Sequence, residues 1–250
     1  MSFLETLQQR TADDRAFLVD APVIRRALAG DITRERYIAF LTQAWHHVRC
    51  TVPLMMAVGS RLPPRLAWLR KEVAHYIEEE EGHDDWILAD IRAAGGDAAA
   101  AAASCPLPAT DSMIAYAWDT AMRRNPAGFF GMVFVLEGTS IALALQAADR
   151  IQQTLQLPPK AMTYLRSHGQ LDQEHIHHLA GILAIELAAG EHPRAGEHAV
   201  FARPLEQQHL KAAGRIAQQH EARGVAGRGE VGRGRRAGIV AHRVDVTSAA

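Results

Sequence analysis

From Phe129 to Arg150 the sequence reads as a helix that is apolar on every side, with a single carboxylate in the stretch Met132-Val-Phe-Val-Leu-Glu137-Gly-Thr-Ser-Ile-Ala-Leu-Ala-Leu. A helix without a polar face has nowhere to stand but the centre of a protein, wrapped by other helices. Glu137 then becomes a problem that the fold must solve. Removing an ionised carboxylate from water costs several kcal/mol unless a partner or a metal ion compensates it. Two solutions are open: a salt bridge to an arginine such as Arg166, or a metal ion.

The wrapping helices are legible in the remaining sequence. Up to about residue 188, helical periodicity is interrupted only by turn signals, and strand-like alternation is scarce, so an all-α fold follows. A first helix is expected over roughly Phe3 to Val19, and a short one from Pro22 stops at Gly30. Thr33 caps a third, with Tyr37, Phe40, Leu41, Ala44, His47 and Val48 at three-to-four spacing. Pro53 kinks that helix or begins the next segment. A long helix from about Arg65 to Ala94 contains Glu78-Glu-Glu-Glu81-Gly-His83 and ends at Gly95-Gly96. The alanine run Ala98 to Ala103 reads as a low-complexity connector. Asp111 caps a helix to about Arg124, Asn125-Pro126 restarts the chain, and a last helix runs from about Lys160 to Ala188. Residues 1–188 are thus expected to form one helical domain. Residues 189–250, rich in Gly and Arg, are expected to be an atypical, partly disordered segment.

Composition excludes several classes. With 27 Lys and Arg against 28 Asp and Glu, the formal net charge is −1, so there is no overall electrostatic case for nucleic acid or membrane. Cys50 and Cys105 make no CxxC, which argues against a disulfide framework and a thiolate metal site. No run of 18 uncharged apolar residues exists, and the N-terminus is unlike a signal peptide. A soluble, cytoplasmic protein is the simplest expectation.

Metal-ligating residues recur on three of the expected helices. In His168-x3-Asp172-x2-His175, Asp172 lies about 40° to one side of His168 and His175 about 20° to the other, so three donors share a helical face. His177 and His178 point off that face. In the acidic helix, Glu80 and His83 are i, i+3 partners, while Glu79 and His83 are i, i+4 partners. Either glutamate can serve as the ligand; a solvated acidic face is the plainer alternative. With Glu137 there are three histidines and three carboxylates, enough for two ions sharing a bridging carboxylate. Nitrogen and oxygen donors without thiolate favour iron or manganese over structural zinc.

On Glu78-Glu-Glu-Glu-Gly-His83, Phe134-Val-Leu-Glu137-Gly and His168-x3-Asp172-x2-His175, the chain resembles the heme-oxygenase-like diiron oxidases and oxygenases, iron-containing redox enzymes related to TenA and PqqC proteins. The resemblance spans roughly residues 3 to 185. It implies a heme-oxygenase-type helical bundle, a homodimer, and two Fe(II) ions, with Mn as the other metal, held by Glu80, His83, Glu137, His168, Asp172 and His175. It also implies O2-dependent oxidation of a small organic substrate, with Trp45 and His47 lining the substrate cavity. Tyr76 stands seven residues before His83, where several members place a carboxylate, and would present a phenol. The alternative within the same resemblance is a cofactorless enzyme or hydrolase of the TenA and PqqC type, or a TenA-type regulator without enzymatic activity. Thiaminase-like chemistry needs a cysteine on the helix that here carries Glu137, and neither Cys50 nor Cys105 lies there.

Overall fold

A computed structural model describes residues 3–169. Asp172, His175 and the segment from residue 189 lie outside the described residues. The described chain is helical without a strand: α1 (Phe3–Arg10), α2 (Ala12–Val19), α3 (Pro22–Ala29), α4 (Arg34–Val48), α5 (Thr51–Arg61), α6 (Leu69–Glu80), α7 (His83–Ala93), α8 (Ala98–Ala103), α9 (Pro108–Arg123) and α10 (Phe129–Leu155), then α11 over 163–169. Among these residues no single helix is long and apolar enough to cross a membrane.

Helix α10 takes the central place that its sequence demands, and it does so by passing through two cores. Phe129, Phe130 and Met132 to Val135 pack in one with Leu54, Val58, Leu69, Val73 and Tyr76 from α5 and α6. Ala144, Ala148 and Ile151 pack in the other with Tyr37, Leu41, Ile87 and Ile91 from α4 and α7. Between the two stretches sits Glu137. The surrounding rods change core in the same way: α5 packs against α6 and α4 against α7, with breaks between α4 and α5 and between α6 and α7. Helix α10 itself bends by 47° between Pro126–Thr139 and Leu143–Leu155. Thr139 ends the first half, and its hydroxyl donates back to the Val135 carbonyl at 2.7 Å, a bond that commonly bends helices.

Several expected boundaries move, each for a local reason. The expected first helix is two, because Thr11 is buried and its hydroxyl bonds back to Leu7 O at 2.9 Å where α1 gives way to α2. The expected Arg65–Ala94 helix is broken at Gly82, whose φ of +85° belongs to the left-handed region that glycine enters without strain. The alanine run is no connector: Asp97 Oδ1 accepts from the N–H groups of Ala99 and Ala100, and residues of the highest helix propensity continue from that cap, burying Ala98 and Ala101. Helix α9 starts at Pro108 rather than at Asp111, which lies in its first turn. Gly30 and Thr33 behave as expected, Gly30 ending α3 at φ +82° and the Thr33 hydroxyl accepting from Arg36 N–H.

One long-range device holds α11 in place. The Asp90 carboxylate on α7 is fully buried, and its two oxygens accept from Thr163 N–H at 3.1 Å and Tyr164 N–H at 2.8 Å, the first turn of α11. It is an N-cap supplied from 73 residues away. Burial pushes this carboxyl above its ordinary value, and the backbone donors pull it partly back. Nearby, the buried Tyr37 hydroxyl donates to Ala161 O at 2.7 Å, and burial pushes its pKa far above that of a free phenol. We expect Asp90→Ala to cost roughly 1–3 kcal/mol in chemical denaturation, the loss of a cap plus two buried N–H groups left without acceptors. Asp90→Asn, able to accept at one oxygen only, should lose part of that.

Candidate metal centre

Helix α6 ends in Glu78, Glu79 and Glu80 with no basic residue in its last turn. Carboxylates at a helix C-terminus face the negative end of the macrodipole, which is unfavourable unless a cation sits there. Glu79 turns to His75, with Nε2 and Oε1 3.4 Å apart on a half-exposed surface. Glu80 turns inward, its side chain 9% exposed, and its Oε2 lies 3.0 Å from His83 Nδ1. Of the two glutamates open at the level of the sequence, Glu80 is therefore the one aimed at His83. The pair straddles the Gly82 break, so the E-x2-H spacing works across a tight turn and not along a continuous helical face.

His83 opens α7 at 2% exposure, stacked on Trp86 with ring centroids 4.1 Å apart. His168 on α11 approaches it from the other side, the two imidazole centroids 5.0 Å apart. His168 Nδ1 lies 3.0 Å from Tyr164 O. A carbonyl oxygen can only accept, so this nitrogen carries the proton and Nε2 presents a lone pair, the arrangement that orients metal-binding histidines. Donor atoms of Glu80, His83 and His168 all fall within 4.8 Å of one another. Two ligands on one ion stand at most about 4.2 Å apart, twice a bond of about 2.1 Å, so small side-chain rotations would close the set.

Gly169 explains how α11 reaches that position. A Cβ built there would lie 2.7 Å from Leu145 Cγ and 2.9 Å from its Cδ2, so only glycine lets α11 come this close to α10.

The cluster borders an apolar cavity of about 420 Å3 whose wall includes Tyr76, Glu80, Glu137, His168 and His47. Glu137 Oε2 is out of contact with solvent. The arginine alternative for Glu137 is not what Arg166 does: its guanidinium bonds Asp149 at 2.6 Å and Gln152 at 2.9 Å. Trp45 does not line the cavity. It packs in the core of α4 and α7 with the Arg49 guanidinium 4.7 Å over its ring, because its position on α4 falls beside Leu41 and Val48 on the buried stripe. Asp172 and His175 lie outside the described residues. Sequence reasoning passed over Asp90, although a lone acid among Ile87, Leu88, Ala89 and Ile91 carries the same signal that singled out Glu137.

A family model described as iron-containing redox enzyme matches residues 38–204. The chain belongs to the iron-containing redox enzyme family. This family match covers α4 to α11 and so includes Glu80, His83, Glu137 and His168. No match was found among curated protein sequences. Solved structures with the same fold include a domain of unknown function with a heme oxygenase-like fold from Shewanella denitrificans OS217, at TM-score 0.76 and 24% identity, covering 93% of this chain and 98% of that one. A TenA homolog from Pseudomonas syringae pv. tomato DC3000 superposes at TM-score 0.73 and 14% identity over 88% of this chain and 93% of its own. A TenA homologue from Pyrococcus furiosus does so at 0.67 and 14% over 87% and 99%. The chain therefore has a heme-oxygenase-like, TenA-type fold.

Replacing Glu80 by Ala should weaken Co(II) or Fe(II) binding at least about tenfold in titrations of the full chain, whereas Glu79→Ala should stay within about twofold. Gly169→Ala should cost about 1–3 kcal/mol through overpacking against Leu145 and should weaken metal binding as well, because the displaced residue adjoins His168.

Proposed function

We propose that this protein is a non-heme iron oxidase or oxygenase that uses O2 to oxidise a small organic substrate held in the cavity beside Glu80, Glu137 and His168. The observation that carries this reading is the convergence of Glu80, His83 and His168 from α6, α7 and α11 at a buried point on that cavity's wall. The donor set fits iron: imidazole nitrogen and carboxylate oxygen, with no thiolate. Glu80, His83 and His168 would hold one ion. Glu137 faces the same cavity, and His168-x3-Asp172-x2-His175 continues the ligand pattern by helical spacing, which is the basis for a second ion.

Iron bound there supplies O2 binding and one-electron chemistry that no side chain can provide. The protein's own contribution is positional. The Tyr164 carbonyl fixes the tautomer and ring plane of His168. Asp90 fixes the helix from which His168 projects. His83 is held at the start of α7 by stacking on Trp86. The apolar wall excludes water and holds the substrate against the cluster, while Tyr76 presents a phenol where the resemblance implies a carboxylate in several members.

The TenA homologues among the structural neighbours support a second reading, a metal-independent enzyme on the same fold. Cys50, its thiol made less acidic by burial, and the exposed Cys105 are both absent from the cavity wall, which weighs against a cysteine nucleophile there. Anaerobic loading of the full chain with Fe(II), metal quantification and optical spectra after exposure to O2 separate the two. Two iron ions per chain, lost in His168→Ala and reduced in Glu137→Ala, are expected. Clearly substoichiometric iron, or iron indifferent to His168→Ala, would overturn the proposal.

A further inference from the structure

Gln43 lies on α4, 8% exposed, in the wall of the same cavity. Its Oε1 accepts from Leu107 N–H at 2.9 Å and from the Thr110 hydroxyl at 2.7 Å. A backbone N–H can only donate, so the atom facing Leu107 must be the oxygen, and the amide cannot be flipped. The two bonds clamp the carboxamide and leave Nε2, with both protons, making no hydrogen bond among the described residues. Nε2 keeps accessible surface in the cavity wall, so a ligand oxygen can accept from it there. Three hydroxyls of the wall are committed elsewhere. Those of Tyr37, Thr110 and Thr139 already donate to Ala161 O, Gln43 Oε1 and Val135 O. Two turns earlier on α4, Arg36 also lines the cavity and its guanidinium forms no ion pair among the described residues. The α4 wall thus offers donors at residues 36 and 43 and apolar surface between them, at Phe40.

We propose that Gln43 is the substrate-anchoring residue of this cavity, donating from Nε2 to a carbonyl or carboxylate oxygen on an otherwise apolar ligand. The proposal rests on the cavity being the substrate site, but not on iron. The clamp through Oε1 has a structural role of its own, tying α4 to the start of α9. The amide nitrogen has none, and it is the atom that sets specificity: a site built to donate rejects ligands that bring only donors.

Matched eight-carbon probes test this in metal-free, full-length protein by calorimetry or by displacement of a fluorescent dye: 2-octanone, octanoate and octylamine. The wild-type chain should bind the ketone and the carboxylate at least about tenfold more tightly than the amine, the order of one buried hydrogen bond. Gln43→Glu keeps an oxygen for Leu107 and Thr110 but replaces the donor with an acceptor. It should lose about tenfold for 2-octanone and gain for octylamine. Gln43→Met, similar in length and without a donor, should lose the ketone preference without gaining the amine. Octanoate bound much more tightly than 2-octanone would assign the second contact to Arg36. An amine preference in the wild type, or ketone affinity within about twofold of wild type in either folded variant, would overturn the proposal. Since no step uses iron, failure of metal loading and failure of Gln43 as anchor are separate results.

Discussion

A carboxylate in the middle of an apolar helix is costly to bury inside either of the cores that helix serves unless donors compensate it, and here it lies where they meet. That constraint on α10 organises the protein. Phe129 to Val135 belong to one core and Ala144 to Ile151 to the other, with Glu137 between them. The neighbouring rods are interrupted as they pass from one core to the other: α4 gives way to α5 at Arg49 and Cys50, and α6 gives way to α7 at Glu81 and Gly82. Interrupted helices expose backbone ends and allow side chains to turn out of the regular face, which is how Glu80 and His83 come to point at each other. The ligand cluster occupies the level at which α6 gives way to α7 and α10 bends.

Such a seam would be mobile if nothing tied its parts together, and buried polar groups do this over long sequence distances. Asp90 caps α11, Tyr37 holds the carbonyl of Ala161 just before it, and Gln43 ties α4 to the start of α9. Each is a buried polar side chain whose partners are backbone groups at a helix end, where the orphan N–H and C=O groups need satisfaction. They set the position of His168 indirectly but rigidly, and a metal site depends on such supporting shells as much as on its ligands.

Membership of the iron-containing redox enzyme family and the donor chemistry agree with each other, yet they act on different levels. The fold is shared with TenA homologues at low identity, and a fold by itself does not choose between metal-dependent and metal-independent chemistry. What favours iron is local: imidazole and carboxylate donors brought together at a helix C-terminus that otherwise concentrates negative charge, beside a cavity lined mostly by apolar side chains.

Local chemistry makes much of this legible in the sequence. The all-α class, the burial of α10, the stops at Gly30 and Gly95, the Thr33 cap and the Asn125-Pro126 restart follow from periodicity and capping, which act within a few residues. The nearness of Glu80 to His83 was also foreseeable, since three residues separate them whether the backbone continues or turns. Choosing Glu80 over Glu79 was not, because it depends on which way α6 unwinds at Gly82. Nor could spacing alone reveal that Trp45 is core while His47 faces the cavity, that six alanines form a capped helix, or that Asp90 and Gln43 meet partners more than sixty residues away. The amino-acid sequence determined which side chains could bind a metal and which helix had to be buried. Only the tertiary structure decided where the helices break and which donors face one another, because burial and hydrogen-bond satisfaction are settled by contacts between distant segments.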